Sequence, residues 1–302
     1  MNKDITQSYE LSAGEAAQLK RLTAAPDIAW PTVLMLAAGL AVIIVTDILG
    51  VMGYWPLWLC AIINGLAGYL MFSAAHDAIH RAVSTNTRLN DWVGRLSLLP
   101  LSPMASLGLF RWGHIQHHRY AVDEKDPDRW SYEGPKWLLP MKWMLIDIWY
   151  FFYVIGSKDK VAYKHLRTTL KITAVSLSII GGLIWAGYGM EVLMLWFVPS
   201  RIASLLLGFA FFWLPHEPHD VSQAEHFTRS STIRVGYEWL MSPLLQYQNF
   251  HLIHHLHPRT PFYNNGKVWH LLENNLRKHE LAIQQGFAIK PTLYFPASEA
   301  SA

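Results

Sequence analysis

WPLWLCAIINGLAGYLMFSAAHDAIH, residues 55–80, is the stretch that decides the fold. Its first part, 55–75, has no charged side chain, and Asn64 is its one strongly polar group. About 20 residues rising 1.5 Å each cover a hydrocarbon core of about 30 Å, so this part reads as a membrane span. The span runs directly into His76-Asp77-Ala78-Ile79-His80. Side chains four residues apart share one helix face, so both imidazoles are carried to one place at the span's end.

Three more stretches have the length and apolarity of spans: 30–49, 172–190 and 192–215. The expected fold is all-α, a polytopic membrane protein in which four transmembrane helices form two hairpins under a cytoplasmic helical cap. The whole chain, 1–302, reads as a single membrane-embedded domain. Asp47 lies near the exit of the first span, and Arg201 lies inside the last. A cation at membrane depth is costly and often functional; alternatively Pro199 starts the regular helix and Arg201 snorkels to the interface. Residues 96–110, with Pro100 and Pro103, read as a re-entrant or interfacial piece. Residues 137–156, broken by Lys142 and Asp147 and rich in aromatics, read as an interfacial helix.

The composition agrees. Of 302 residues, 52% are hydrophobic and 16% charged, against about 25% charged in a soluble domain. Disorder is excluded, and so is a disulfide scaffold, since Cys60 is the one cysteine. A net charge of +3 makes no case for nucleic acid. Of the 25 Lys and Arg, 13 fall between Arg81 and Arg167 and 7 after Pro215, and the short connections between paired spans have none. The positive-inside rule then puts the termini, the middle loop and the histidines in the cytoplasm, here of a bacterial inner membrane. Residues 1–28 lack the apolar core of a signal peptide. Ser12 and Glu15 form a capping box that opens an amphipathic helix with Ala16, Leu19 and Leu22 apolar, expected to lie on the membrane surface.

Histidine is the residue in excess, at 15 copies. Two clusters have the same spacing, His114-Ile-Gln-His117-His118 and His251-Leu-Ile-His254-His255, and His216 and His219 follow the fourth span. At this frequency a three-histidine pattern arises at a given position about once in ten thousand, so its recurrence carries information. Nine or more imidazoles exceed what one ion takes, and two ions fit the number. Without cysteine ligands, iron–sulfur and thiolate zinc sites are disfavoured; imidazole itself suits iron, copper, nickel or zinc.

In this order the motifs resemble the membrane fatty acid desaturase superfamily. The resemblance rests on His76–His80, the two HxxHH boxes, Asp126-Pro127-Asp128, Leu214-Pro215-His216 and Asn249-Phe250-His251 through His257-Pro258. Acyl-lipid desaturases and the carotenoid hydroxylases and ketolases are the similar branches. The 33 residues between His80 and His114 separate the chain from sterol desaturase relatives. The resemblance implies two iron ions held by His76, His80, His114, His117, His118, His216, His251, His254 and His255, with His219 as an additional ligand or a replacement for His216. It also implies Asp77, Asp126 and Asp128 as carboxylates behind the ligands, and Asn249 as a support for metal-bound water.

The implied reaction uses dioxygen and two electrons to desaturate or hydroxylate a long apolar chain. A fatty acyl lipid is the favoured substrate and a carotenoid ring the alternative. A metal transporter or sensor is the reading from another class, against which no span has a histidine in its middle third. A membrane zinc hydrolase would need a His-Glu-x-x-His or Gly-x-Ser-x-Gly motif, and neither occurs. The chain has no Gly-x-Gly-x-x-Gly stretch and too few cysteines for a cluster, so electrons must come from an external carrier such as a ferredoxin with its reductase. Arg119, Lys125, Arg129, Arg259 and Lys267 could steer that carrier, or simply express the positive-inside bias.

Overall fold

The computed structural model describes residues 5–6 and 8–296; the two ends of the chain, and with them part of the 1–28 segment, lie outside the described residues. After a short helix α1 (Ala13–Thr23), helices α2 (Trp30–Val51) and α3 (Leu57–Ile79) pack as an antiparallel pair. α3 is the central helix, flanked by α2, by α4 (Thr87–Leu98) and by a long helix α9 (Gly189–His216). Small residues make this crowding possible. A Cβ on Gly65 would stand 2.7 Å from the Ile202 side chain of α9, and one on Gly94 of α4 would stand 2.8 Å from Ala78.

α5 (Leu107–Tyr120) follows, then α6 (Leu139–Met144) and α7 (Ile146–Ser157), and then α8 (Lys160–Trp185). Among the described residues, four helices are long and apolar enough to cross a membrane: α2, α3, α8 and α9. In α8 only 6% of the apolar window is buried against the rest of the protein, and in α2 only 17%. Helices apolar on their outward faces are built for lipid rather than water. The first, second and fourth match the expected spans closely. The third begins at Lys160, well before 172, because Asp159 accepts hydrogen bonds from the Val161 and Ala162 amides (2.7 and 2.9 Å) and starts the helix there. The aromatic stretch expected as one interfacial helix is a pair, bent by 84° between Met144 and Ile146.

The all-α expectation needs correction. β1 (Thr232–Val235) pairs in parallel with β2 (Leu281–Gln285), which pairs antiparallel with β3 (Thr292–Tyr294). After β1 comes α10 (Glu238–Leu244); the sheet then packs with α11 (His251–Leu256) and α12 (Asn265–Leu276) around a core of Ile233, Phe250, Ile253, Trp269, Leu272 and Leu281. The capping box of α1 is present as read, but its apolar edge is not left for a membrane surface. Leu22 is buried in this same core and Leu19 packs against it.

Candidate metal centre

The imidazoles meet where α3, α5, α9 and α11 converge. Their nitrogens form two groups: His76, His80, His114 and His254 in one, and His117, His216, His251 and His255 in the other. His118 Nε2 adjoins the first, 3.0 Å from His114 Nε2 and 2.8 Å from His254 Nε2. Its ring also stacks on that of His255 at 4.3 Å, so it lies between the groups. The structure thus brings together nine of the ten candidate ligands.

Helix geometry explains how one box serves two groups. At about 100° per residue, positions i and i+4 differ by about 40°, while i+3 falls on the other side of i. His114 and His118 therefore reach one group and His117 the other. On α11 the assignment is mirrored, with His251 and His255 in the second group and His254 in the first. His216 comes from the end of α9, whose preceding stretch, Gly208–Trp213, is wound as a wider π-helical turn, a device common near functional sites.

The second group is held from behind. Nδ1–H of His117 donates to Asp126 (3.0 Å), that of His216 to the Ser230 carbonyl (2.7 Å), that of His251 to Gln248 Oε1 (2.6 Å) and that of His255 to Gln223 Oε1 (3.1 Å). These partners accept only, so each ring keeps its proton on Nδ1 and turns the Nε2 lone pair inward. Three Nε2–Nε2 separations in this group, His117–His216, His216–His251 and His251–His255, are 3.0–3.1 Å, and its ligand nitrogens all lie within 4.8 Å of one another. Nitrogens bound at about 2.1 Å to one ion stand about 3.0–3.4 Å apart, so the donor set fits a metal. Gln223 and Gln248 carry no signal in the motifs themselves. Gln248 stands three residues before His251, a helical offset that could have flagged it, whereas Gln223 reaches His255 only through the fold.

Burial, and then the neighbouring imidazoles, hold His80, His114, His118, His251, His254 and His255 well below the usual histidine range. They are therefore neutral at pH 7, the form in which imidazole can bind a metal. Burial also disfavours the His117 imidazolium, but Asp126 and Asp128 outweigh it and hold that group up at about 9, so without metal its Nε2 is protonated at pH 7 and an ion must displace that proton to use the lone pair. Asp128 is 3.2 Å from His117 Nδ1 and accepts from the Tyr150 hydroxyl. Asp126 also accepts the Val122 and Asp128 amides, both at 2.9 Å.

The other candidates sit elsewhere. Asp77 touches no imidazole through a hydrogen bond; it accepts from Thr32 Oγ1 (2.8 Å) and the Phe262 amide (3.1 Å), tying α3 to α2 and to the loop before α12. Asn249 is buried and donates to Ser242 Oγ at 3.2 Å. His219 is outside both groups, stacked on Tyr132 with ring centres 4.2 Å apart. Arg201 pairs bidentately with Asp147 (2.9 and 2.7 Å) and donates to the Met144 carbonyl at the 84° bend. Arg119, Lys125, Arg259 and Lys267 are exposed, whereas Arg129 pairs with Glu133 at 3.2 Å. An apolar cavity of about 370 Å³ opens beside the first group. Phe72 and Phe110 line it, with ring centres 6.2 and 6.3 Å from those of His76 and His114.

Fold and site together define a class: a largely helical protein with several apolar helices and, at their ends, a buried cluster of imidazoles able to hold metal. The fatty acid desaturase family model matches residues 52–287, and the chain belongs to this family of oxidoreductases. It is 28% identical over 200 residues to the beta-carotene ketolase of Paracoccus sp. (strain N81106 / MBIC 01143), covering 64% of this chain and 71% of the ketolase. Two lipid desaturases match shorter stretches. The sn-1 oleoyl-lipid 12-desaturase of Arthrospira platensis is 38% identical over 69 residues, 22% of this chain and 18% of that enzyme. The omega-3 fatty acid desaturase fat-1 of Caenorhabditis elegans is 30% identical over 105 residues, 33% of this chain and 22% of that enzyme.

Proposed function

We propose that the chain is a membrane oxidoreductase that uses dioxygen and two irons to oxidise C–H bonds of a long apolar substrate. The observation that carries this reading is the placement of two converging imidazole groups at the head of an apolar cavity. When bound, a pair of irons supplies the oxidising power that no side chain has, with two electrons per turnover drawn from an external carrier. His76, His80, His114, His118 and His254 would hold one ion, and His117, His216, His251 and His255 the other. Asp126, Gln223, Gln248 and the Ser230 carbonyl fix the rings of the second set. Phe72 and Phe110 orient the apolar chain against the first set and keep water from it.

Desaturation and oxygen insertion both begin with loss of hydrogen from such a chain, and the position of the substrate decides between them. The motifs alone put an acyl lipid first and a carotenoid second. The extent of similarity favours the reverse order, since the ketolase aligns over 64% of the chain and the lipid desaturases over 22% and 33%. The four apolar helices span the bilayer as two hairpins, with the metal centre on the cytoplasmic side of a bacterial inner membrane. The exposed basic side chains around the centre receive an acidic carrier of the ferredoxin type.

The test is expression in a host that makes β-carotene and is supplied with a ferredoxin and reductase, followed by mass spectrometry of pigments and lipids. Gain of oxygen by the pigment is the expected result, and loss of two hydrogens from acyl chains would move the substrate to the lipid class. No change in either extract, with metal-loaded protein present, would overturn the proposal.

A further inference from the structure

Away from the metal centre, the interior between α2, α3 and α9 holds polar groups that the proposed chemistry does not use. A cavity of about 310 Å³ is lined by Leu40, Ile43, Asp47, Asn64, Leu195 and Trp196, among others. Asn64 is 3% exposed, and its Nδ2 is committed to Asp47 Oδ1 at 2.7 Å. Its Oδ1 is buried and, among the described residues, has no hydrogen-bond partner; the same holds for Trp196 Nε1. Two of the side chains that line the cavity thus carry an unanswered acceptor and an unanswered donor, in an otherwise mostly apolar wall. Leaving such groups unpaired away from water is unfavourable, so a ligand that answers both is favoured.

We propose that this cavity is a lipid site that takes the hydroxyl group of an aliphatic alcohol. A hydroxyl both donates and accepts, so its chemistry matches an unanswered Asn64 Oδ1 and an unanswered Trp196 Nε1. A carboxylate would meet the Asp47 carboxylate, and an ammonium would leave the indole N–H unanswered. Water answers the polar atoms but not the volume. The space equals that of roughly ten waters, each needing two to four polar partners, and three polar side chains cannot hold them. An aliphatic stem fills what water would not.

Access is lateral. Ile44, at the cavity wall, is 56% exposed on the outward face of α2. A neighbouring cavity of about 560 Å³ shares Asp47, Leu99, Leu195 and Trp196 with it, which extends the room for the stem. Asn64 and His76 are about 18 Å apart along α3 at the helical rise of 1.5 Å per residue, so the site is distinct from the metal centre. Leu101 lines both this cavity and the one beside the histidines, and separates them. The inference rests on reading these helices as membrane spans, not on the reaction assigned to the metals.

The test uses the full chain, metal-loaded and in detergent, with radiolabelled 1-hexadecanol and hexadecane as probes. The ratio of retained alcohol to retained alkane is measured for the native chain, for Asn64→Leu and for Trp196→Phe. Both variants are expected to lower that ratio about tenfold, with metal content and hexadecane retention unchanged. If Asn64→Leu does not fold, Trp196→Phe decides alone, since it removes the N–H and keeps an aromatic ring at that position. The same ratio in the native chain and Trp196→Phe would overturn the inference. Because no turnover is measured, failure here is separate from failure of the proposed function.

Discussion

Acceptors stand behind all four rings of the second imidazole group, while among the described residues no such acceptor stands behind the outer nitrogens of His76, His80, His114 and His254. Oriented rings bind metal more tightly, typically by 10–100-fold for a single supporting partner. Stepwise addition of chelator to the metal-loaded protein should therefore release about one ion per chain from the first group before the second, followed by metal analysis. Asp126→Asn leaves a weaker acceptor for His117 Nδ1 and should weaken the second ion about 10–100-fold, read by competition with a metal indicator. His251→Ala should reduce the metal content to about one ion per chain, while His219→Ala should leave it unchanged, because His219 stacks on Tyr132 outside both groups. Equal loss in these two variants would show that the groups are wrongly divided.

At the scale of elements, the bent pair α6–α7 depends on α9. Ile146, Ile148 and Tyr150 of α7 wall the cavity beside the first group, and Arg201 fastens the bend through Asp147 and the Met144 carbonyl. Removing one partner of a pair in a medium of low dielectric leaves the other uncompensated. Both side chains keep some exposure, 15% for Arg201 and 30% for Asp147, which reduces the cost. Arg201→Ala should therefore lower stability by about 1–3 kcal/mol in detergent, read by thermal unfolding. Double replacement by an apolar pair should recover most of that loss. A single variant as stable as the native protein would mean that the bend holds without the pair.

For the whole molecule, the arrangement of spans is open to direct labelling. Ser84 and Ser222, each close to the metal-bearing segments, are buried and poor reporters. Lys125, next to Asp126, and Lys267, on α12, are exposed, and Tyr54, 68% exposed, lies in the turn at the opposite end of α2 and α3. In a chain whose buried Cys60 is replaced by Ser, cysteines at 125 and 267 should react from the cytoplasmic side and one at 54 from the other. Opposite sides for 125 and 267 would dismantle the single-centre arrangement. Turnover should also require an added carrier and reductase and should fall as salt rises, because charges that guide the carrier are screened.

How far the sequence carries this protein follows from what is local. Apolar length, charge asymmetry and the four- and three-residue histidine spacings are local properties of the chain, so the long apolar helices, the boxes and the family are legible along the chain alone. The ranges 30–49, 55–75 and 192–215 lie within α2, close to α3 and within α9 for that reason. The sheet is not legible in this way, because its strands are three to five residues long and β1 pairs with β2 across the whole of α10 to α12. Nor can spacing say that His117 and His118, adjacent in the chain, belong to different groups. That division arises only when α5 and α11 pack so that a rotation of about 100° between neighbours turns them toward different partners. Gln223 behind His255, Asp147 under Arg201 and the meeting of Asn64 and Trp196 at one cavity are likewise long-range. Side chains distant in sequence meet only when helices close around them, and a pattern read along one helix does not contain the face of the next.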